Sequence, residues 1–414
     1  MKKLQTTNGI VKIFTDNIEQ SALDQVEEVA NSVLGKEAHI RIMPDVHSGK
    51  GCTIGYTAHL ADKVCPFQIG VDIGCGMTWV RMPLHKDCLD LNLVDEIIRN
   101  TIPSGRAVNL TIEKSEIAIE DLYCYNELRN PNNYLEKSLG SLGGGNHFIE
   151  IDEDDTGFIT LIVHSGSRNL GKQVCEIYQA KAVEHCTYNE ERKAEREKAI
   201  KELKEQGRQK EITQALKDID AKYEGKLKLP RDLCYIEGED REKYLHDMRL
   251  CQKWASLNRF TMLKRILAEL TAKTAMTPDI LKHCEWHETI HNYIGDDNIV
   301  RKGAVSAYKD EIILIPMNMR DGCIIAKGKG NEDWNCSAPH GAGRIMSRSA
   351  AKATLNLKDY EDAMEGVFTT SVSEETIDEA PMVYKPAQEI IDNITDTVDI
   401  IDIIKPIYNF KAGE

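Results

Sequence analysis

The sequence has no apolar run of the length that crosses a membrane. Its longest are strand-sized pieces such as Phe158 to Val163 and Ile312 to Pro316, against the roughly 20 residues a spanning helix needs. The amino-terminal Met-Lys-Lys-Leu-Gln-Thr-Thr-Asn carries charge but lacks the apolar centre of a signal peptide, so a cytoplasmic protein without membrane contact is expected. Nor is there an excess of positive charge. With 52 Lys and Arg against 67 Asp and Glu, the net charge is −15, which excludes a protein that coats nucleic acid indiscriminately, because that binding rests on phosphate neutralisation. A nucleic-acid substrate would need a local basic groove. No tandem repeat or low-complexity linker interrupts the chain, and its 12 cysteines show no repeating spacing. They read as reduced thiols and metal ligands, not as a disulfide framework.

What is present is enough apolar material, 41% of 414 residues, to bury at least one large core, and the length would also permit two domains. Val26, Val29, Val33 and Leu34 follow helical spacing between about Gln20 and Gly35. A glycine-rich stretch with alternating apolar residues follows over 43–82. Residues 89–102 read as helix, and 103–139 as mostly helical with loops. Two strand signals, His147 to Ile151 and Phe158 to His164, each place a histidine at a strand end. From about Lys172 to Thr274 the pattern is almost wholly helical, with Ile212, Leu216, Ile219 and Tyr223 on one face. Within it, Glu190 to Arg231 carries 13 basic and 10 acidic residues, a net +3 that leaves −18 for the rest. A charged hairpin arm over about 190–231 is expected, either solvated with charges at i,i+4 or a contact surface for RNA or a partner. After Pro278, His283, His287 and His291 predict a helix with three histidines on one face. Strands are expected near Ala304 to Tyr308 and Glu311 to Ile315, then glycine-rich loops, a helix opening after Gly343, and an Ile-rich amphipathic helix in the acidic tail from Ser373. The expected fold is a single α+β domain over 1–414, with the mostly helical section 172–274 inserted in it.

Five constellations carry chemistry. In Gly70-Val-Asp-Ile-Gly-Cys-Gly76, Asp72 and Cys75 sit three apart in a loop made permissive by glycine, so carboxylate and thiolate can face one cation; alone, the pattern is also that of a turn with a buried cysteine. A triple-glycine turn delivers Asn146 and His147 to the start of a strand, with Glu150 further along. His164-Ser-Gly-Ser-Arg168 again sets a histidine at a strand end, with a cation suited to phosphate beside it. By spacing alone, His287 and His291 make the best metal pair of the His-rich segment. Finally, Ala338-Pro-His-Gly-Ala-Gly-Arg-Ile-Met-Ser-Arg348 sets His340 in a glycine loop opening a helix, with Arg344 and Arg348 completing an anion site where a neutral histidine could attack phosphorus. One Asp, one Cys and several His form a borderline-soft ligand set suited to Zn, Mn or Fe.

Read in order, Pro44-Asp-Val-His47, Gly70 to Gly76, Gly-Asn-His-Phe-Ile-Glu-Ile, His-Ser-Gly-Ser-Arg, His291-Asn292, Arg-Lys-Gly-Ala and His-Gly-Ala-Gly-Arg resemble the RtcB family of GTP-dependent RNA ligases, from Pro44 to Lys411. The resemblance implies that family's α+β fold with a central metal cleft. It implies Asp72, Cys75, His147, His164 and His291 as ligands of two manganese ions with Cys75 between them, which selects His291 over His287. It implies that His340 takes GMP from GTP, and that Asn146, Glu150, Tyr384 and Lys411 surround the guanylate together with Gly341, Ala342 and Gly343. Arg168 and Asp45 match residues needed for activity near the RNA end. The implied substrates are RNA 3′-phosphate or 2′,3′-cyclic phosphate ends and 5′-hydroxyl ends, in RNA repair or tRNA splicing, with an archease-type activator as partner and the chain itself a monomer. One departure stands out: Pro316-Met-Asn-Met-Arg-Asp-Gly322 puts Asn318 where the family commonly has a serine facing the guanylate. Two competing readings are a metal-dependent phosphodiesterase or cyclic phosphatase that processes RNA ends without joining them, and a binding scaffold. Retained His340 and Lys411 weigh against both.

Overall fold

The computed structural model describes residues 1–274 and 280–413, so Pro278, the expected turning point, lies outside the described residues. Two large sheets form the frame of the fold. In the first, Lys2–Thr6 (β1), Gly9–Ile13 (β2), Arg41–His47 (β3), Ile54–His59 (β4), Ile299–Lys302 (β10) and Tyr293–Ile294 (β9) run in the order β1-β2-β3-β4-β10-β9. The second comprises Gly76–His85 (β5), Phe148–Glu153 (β6), Phe158–Ser165 (β7), Glu285–Ile290 (β8), Ile312–Asn318 (β12), Gly322–Gly328 (β13) and Val398–Phe410 (β15), in the order β12-β13-β15-β6-β7-β5-β8. Its neighbours pair antiparallel throughout. A short pair, Ala304–Ser306 (β11) and Ser337–Pro339 (β14), leads into the His340 loop. With the helices below, this is a mixed α+β fold.

The helices are Gln20–Asn31 (α1), Leu91–Thr101 (α2), Tyr134–Lys137 (α3), Arg168–His185 (α4), Asn189–Glu205 (α5), Ile212–Tyr223 (α6), Gly238–Lys273 (α7), Arg348–Thr354 (α8), Leu357–Ala363 (α9) and Ala387–Ile394 (α10). The 36-residue α7 ties two hydrophobic cores together. Its first half packs Tyr244, Met248 and Trp254 in one core with Leu170, Val174 and Tyr178 of α4. Its second half sets Met262, Leu263 and Ile266 in another with Ile97 and Ile98 of α2 and Leu161 and Val163 of β7. Each such side chain contributes about 1.5 to 3 kcal/mol by leaving water. Between the halves lie Asn258 and Arg259, both fully buried. The pair α5 and α6 is different in kind: α5 buries no residue, and of the apolar series in α6 only Ile219 is buried. Ion pairs tie the two helices, Lys222 to Glu195 at 2.7 Å and Arg196 to Asp220.

Several expectations need correction. The histidine segment is not a helix with His287 and His291 as a clamp: residues 285–290 form β8, paired with β5 so that His287 lies opposite Trp79 and stacks on it at 4.3 Å. Sheet pairing overrides a spacing that fits either structure. The Ile-rich tail is helical only over α10, and then becomes the long strand β15 between β13 and β6, where β-branched side chains pack well. Region 103–139 contains single turns and the four-residue α3 rather than extended helix. The stretch read as glycine-rich loops contains β13. The helix after Gly343 begins only at Arg348, capped by Ser347, so His340 follows a strand and does not open a helix.

Candidate active site

Three loops and one strand end deliver the candidate metal ligands to one place. Asp72 and Cys75 precede β5, His147 precedes β6, His164 is near the end of β7, and His291 follows β8. Because β5, β6, β7 and β8 are neighbours, their ends converge. Cys75 Sγ lies 3.5 Å from His147 Nε2 and 3.4 Å from His164 Nε2. His164 Nε2 is 3.4 Å from His291 Nε2, and His147 Nε2 is 2.9 Å from Asp72 Oδ2. Two groups of donors result, Asp72 with Cys75 and His147, and Cys75 with His164 and His291, sharing the one sulfur. Backbone carbonyls fix the rings: His147 Nδ1 pairs with Leu142 O at 2.9 Å and His164 Nδ1 with Asn146 O at 3.1 Å. Each carbonyl holds a proton on Nδ1; Nε2 of His164 is left as a lone pair facing the group, and a bound cation would take the place of the proton that His147 Nε2 shares with Asp72.

The electrostatics of this group suit a cation. Burial holds His164 and His291 well below the ordinary histidine range, so both are neutral donors at neutral pH. Burial opposes ionisation of Asp72, but His147 overcomes it and keeps the carboxyl below its usual value. Burial and the Asp72 charge push the Cys75 thiol well up; a bound cation would reverse that and draw off the proton. Asp72 Oδ1 is buried without a hydrogen-bond partner among the described residues. A buried carboxylate with a free oxygen, beside converging imidazole lone pairs and a thiol, fits one or two divalent ions. The backbone is shaped for this crowding. A Cβ on Gly166 would stand 2.2 Å from the Asp72 carboxylate, and one on Gly143, at φ +90°, would stand 1.7 Å from Arg168 Nη1. Arg168 therefore folds onto the glycine turn, donating to Ser141 Oγ at 3.2 Å and Gly105 O at 2.9 Å.

His340 faces the same cleft, of about 610 Å³, which is also lined by Asp72, Cys75, His164 and His291. Its ring lies 4.7 Å from that of His291. The fully buried Asp45 accepts from His340 Nδ1 at 2.7 Å and from its backbone N–H at 3.2 Å. Sequence matching put Asp45 near the RNA end; here it stands behind the imidazole, fixing the tautomer with Nε2 free. His47, in the same strand, is pushed down to about 4 by burial and is uncharged at neutral pH.

The opposite wall is a charge network around Glu379, which is 2% exposed. Glu379 accepts from Lys411 Nζ at 2.8 Å and Tyr384 Oη at 2.6 Å, and pairs with Arg344 at 3.2 Å and Arg348 at 2.8 Å. Arg348 and Lys352 also hold Asp378. The two arginines expected as a free anion site are thus already paired with carboxylates. Asn146, Glu150, Asn318, Gly341, Ala342, Gly343, Tyr384 and Lys411 all line the cleft, whereas Arg168, His147 and Asp45 stand behind its wall. The Asn318 side chain is committed to its own turn, accepting from Arg320 N–H and Asp321 N–H at 3.0 Å each.

Sequence reasoning missed Glu379, which sits in an acidic run without a distinguishing mark, and the pair Asn258 and Arg259. Arg259 donates to Gly74 O at 2.9 Å, to Ser165 O at 2.7 Å and to Glu288 at 2.8 Å. Asn258 holds Gly140 N–H at 2.6 Å and Gly166 O at 3.2 Å. The two thus brace the loops that carry Asp72, Cys75, His147 and His164. A signal was available: Arg259 falls at helical spacing among Ala255, Met262 and Ile266, where an apolar residue is the rule.

The chain is similar to known proteins along nearly its whole length. A family model described as tRNA-splicing ligase RtcB matches residues 25–412. The RNA-splicing ligase RtcB of Escherichia coli (strain K12) is 32% identical over 443 aligned residues, covering 99% of each chain. The tRNA-splicing ligase RtcB of Archaeoglobus fulgidus is 25% identical, over 91% of this chain and 87% of its own, and that of Methanococcus maripaludis 24%, over 92% and 89%. Similarity of this extent shows that the chain belongs to the RtcB family.

Proposed function

We propose that this chain is an RNA ligase that works through a guanylated His340, joining RNA 3′-phosphate or 2′,3′-cyclic phosphate ends to 5′-hydroxyl ends. Family membership supports ligation of RNA. The observation that carries the route is the buried Asp45 carboxylate on His340 Nδ1, which turns Nε2 into the cleft as a neutral nucleophile.

In this reading His340 Nε2 attacks the α-phosphorus of GTP and pyrophosphate leaves. Asp45 stabilises the positive charge that develops on the imidazole ring. An RNA 3′-phosphate oxygen, freed by prior opening of any 2′,3′-cyclic phosphate, then attacks the phosphorus on Nε2, and the imidazole departs. A 5′-hydroxyl finally attacks the RNA phosphorus, and GMP is released. Asp72, Cys75 and His147 on one side, and Cys75, His164 and His291 on the other, would hold two divalent ions, with manganese expected from the resemblance. Bound there, such ions would neutralise charge on phosphate oxygens lying in line. Glu150, Tyr384 and Lys411 line the wall where the nucleotide would rest, Lys411 and Tyr384 being held in place by Glu379. The test is incubation with labelled GTP and manganese, followed by acid and hydroxylamine. An acid-labile, hydroxylamine-stable label on the wild type, absent from His340→Ala, is expected. A wild type that takes no label from any nucleotide while holding metal at Cys75 would leave hydrolysis of RNA ends as the activity.

A further inference from the structure

A second buried cluster lies apart from Cys75, on the second sheet. Glu150 and Asp152 are two residues apart on β6 and so point to the same face. Cys323 of β13 joins them, and the ligand atoms of all three lie within 4.8 Å of one another. All are buried, Asp152 completely. Neither carboxylate oxygen of Asp152 has a hydrogen-bond partner among the described residues. On β15, next to β6, Asn409 donates its amide N–H to Glu150 Oε2. The nearby cations are occupied elsewhere: Lys405 Nζ donates to Asp321 O at 3.1 Å and Lys411 Nζ to Glu379 at 2.8 Å.

Two carboxylates in an apolar setting need a proton or a cation. We propose that Glu150, Asp152 and Cys323 bind a divalent cation of zinc-like softness, distinct from those at Cys75. Two carboxylates and one thiol supply three of the four ligands that zinc prefers, with the sulfur favouring it over manganese. Cys323 Sγ stands 3.6 Å from Glu150 Oε1, near the edge of a tetrahedron built on zinc bond lengths, roughly 3.5 Å. The chemistry also explains the free oxygens of Asp152. Because Glu150 lines the cleft, a cation behind it would fix the direction of the carboxylate that a bound nucleotide meets. The site stands on its own ligands and does not depend on the ligase reading.

The experiment is metal counting on the full chain after zinc loading and gel filtration, together with cobalt absorption. Wild type is expected to hold one more equivalent of zinc than Asp152→Asn or Cys323→Ser, and Cys75→Ser to keep that equivalent. With cobalt alone as probe, the thiolate-to-cobalt band should persist in Cys75→Ser and vanish in Cys75→Ser/Cys323→Ser. Asp152→Asn keeps the side-chain shape and removes a buried charge, so it should fold; the Cys75→Ser spectrum reads the site independently of it. Zinc content unchanged in both variants, or no thiolate band in Cys75→Ser, would overturn the proposal and leave a shared proton as what neutralises the pair.

Discussion

The cleft and the pair α5 and α6 are both rich in charge, yet the same residue types behave oppositely in them. In the helical pair, Lys222 and Glu195 are 54% and 35% exposed, and either could be solvated alone. Behind the cleft wall, Asp45 and Arg259 are wholly buried, Asp45 holding two N–H groups of His340 and Arg259 two loop carbonyls and Glu288. An exposed pair is worth about 0 to 1 kcal/mol, whereas removing one partner of a buried pair costs about 3 to 5 kcal/mol. Burial, not charge count, separates residues that hold a site from residues that keep a surface wet.

Substitution can break that contrast at its strongest point first. Asp45→Asn keeps the shape behind His340 but removes the charge, and it is expected to slow label transfer from GTP onto the protein by roughly 100- to 10,000-fold, with metal content unchanged. A single-turnover rate equal to wild type would show that Asp45 does not set the nucleophile. Arg259→Met is expected to weaken metal binding by roughly 10- to 100-fold and to lower stability by about 3 to 5 kcal/mol, read by metal titration and urea unfolding. If stability falls while metal affinity holds, Arg259 braces only the cores. The smallest effect belongs to the arm: Lys222→Ala should leave the urea unfolding midpoint at the wild-type value and leave RNA affinity alone. A marked loss of RNA binding would make the arm a contact surface after all.

Much of the cleft was legible because its residues sit in short, glycine-marked motifs at strand ends: Asp72 and Cys75, His147, His164 and His340 each announce themselves locally. Their partners do not. Glu379, Asn258 and Arg259 matter only through contacts far along the chain, and no local pattern encodes a pairing between Arg259 and the carbonyls of Gly74 and Ser165. The two large misreadings of secondary structure share a cause. Positions four apart lie on one face of a helix and also on one face of a strand, so His287 and His291 fit either, and only the free edge of β5 decides for β8. The isoleucines of the tail repeat at steps that mimic a helix, but β15 fills the gap between β13 and β6.

That placement of β15 has a consequence for how the protein is made. A strand near the carboxyl end of the chain lies in the interior of the second sheet, and Lys411 directly follows it. On the ribosome, β12 and β13 therefore emerge with nothing to join them to β6, and they must wait for residues 398–410. Every intermediate length exposes two unpaired sheet edges, and none has the wall of the cleft that Lys411 completes. A nascent chain of this protein is thus exposed to aggregation until β15 has emerged, and chaperone dependence during synthesis should track the emergence of residues 398–410.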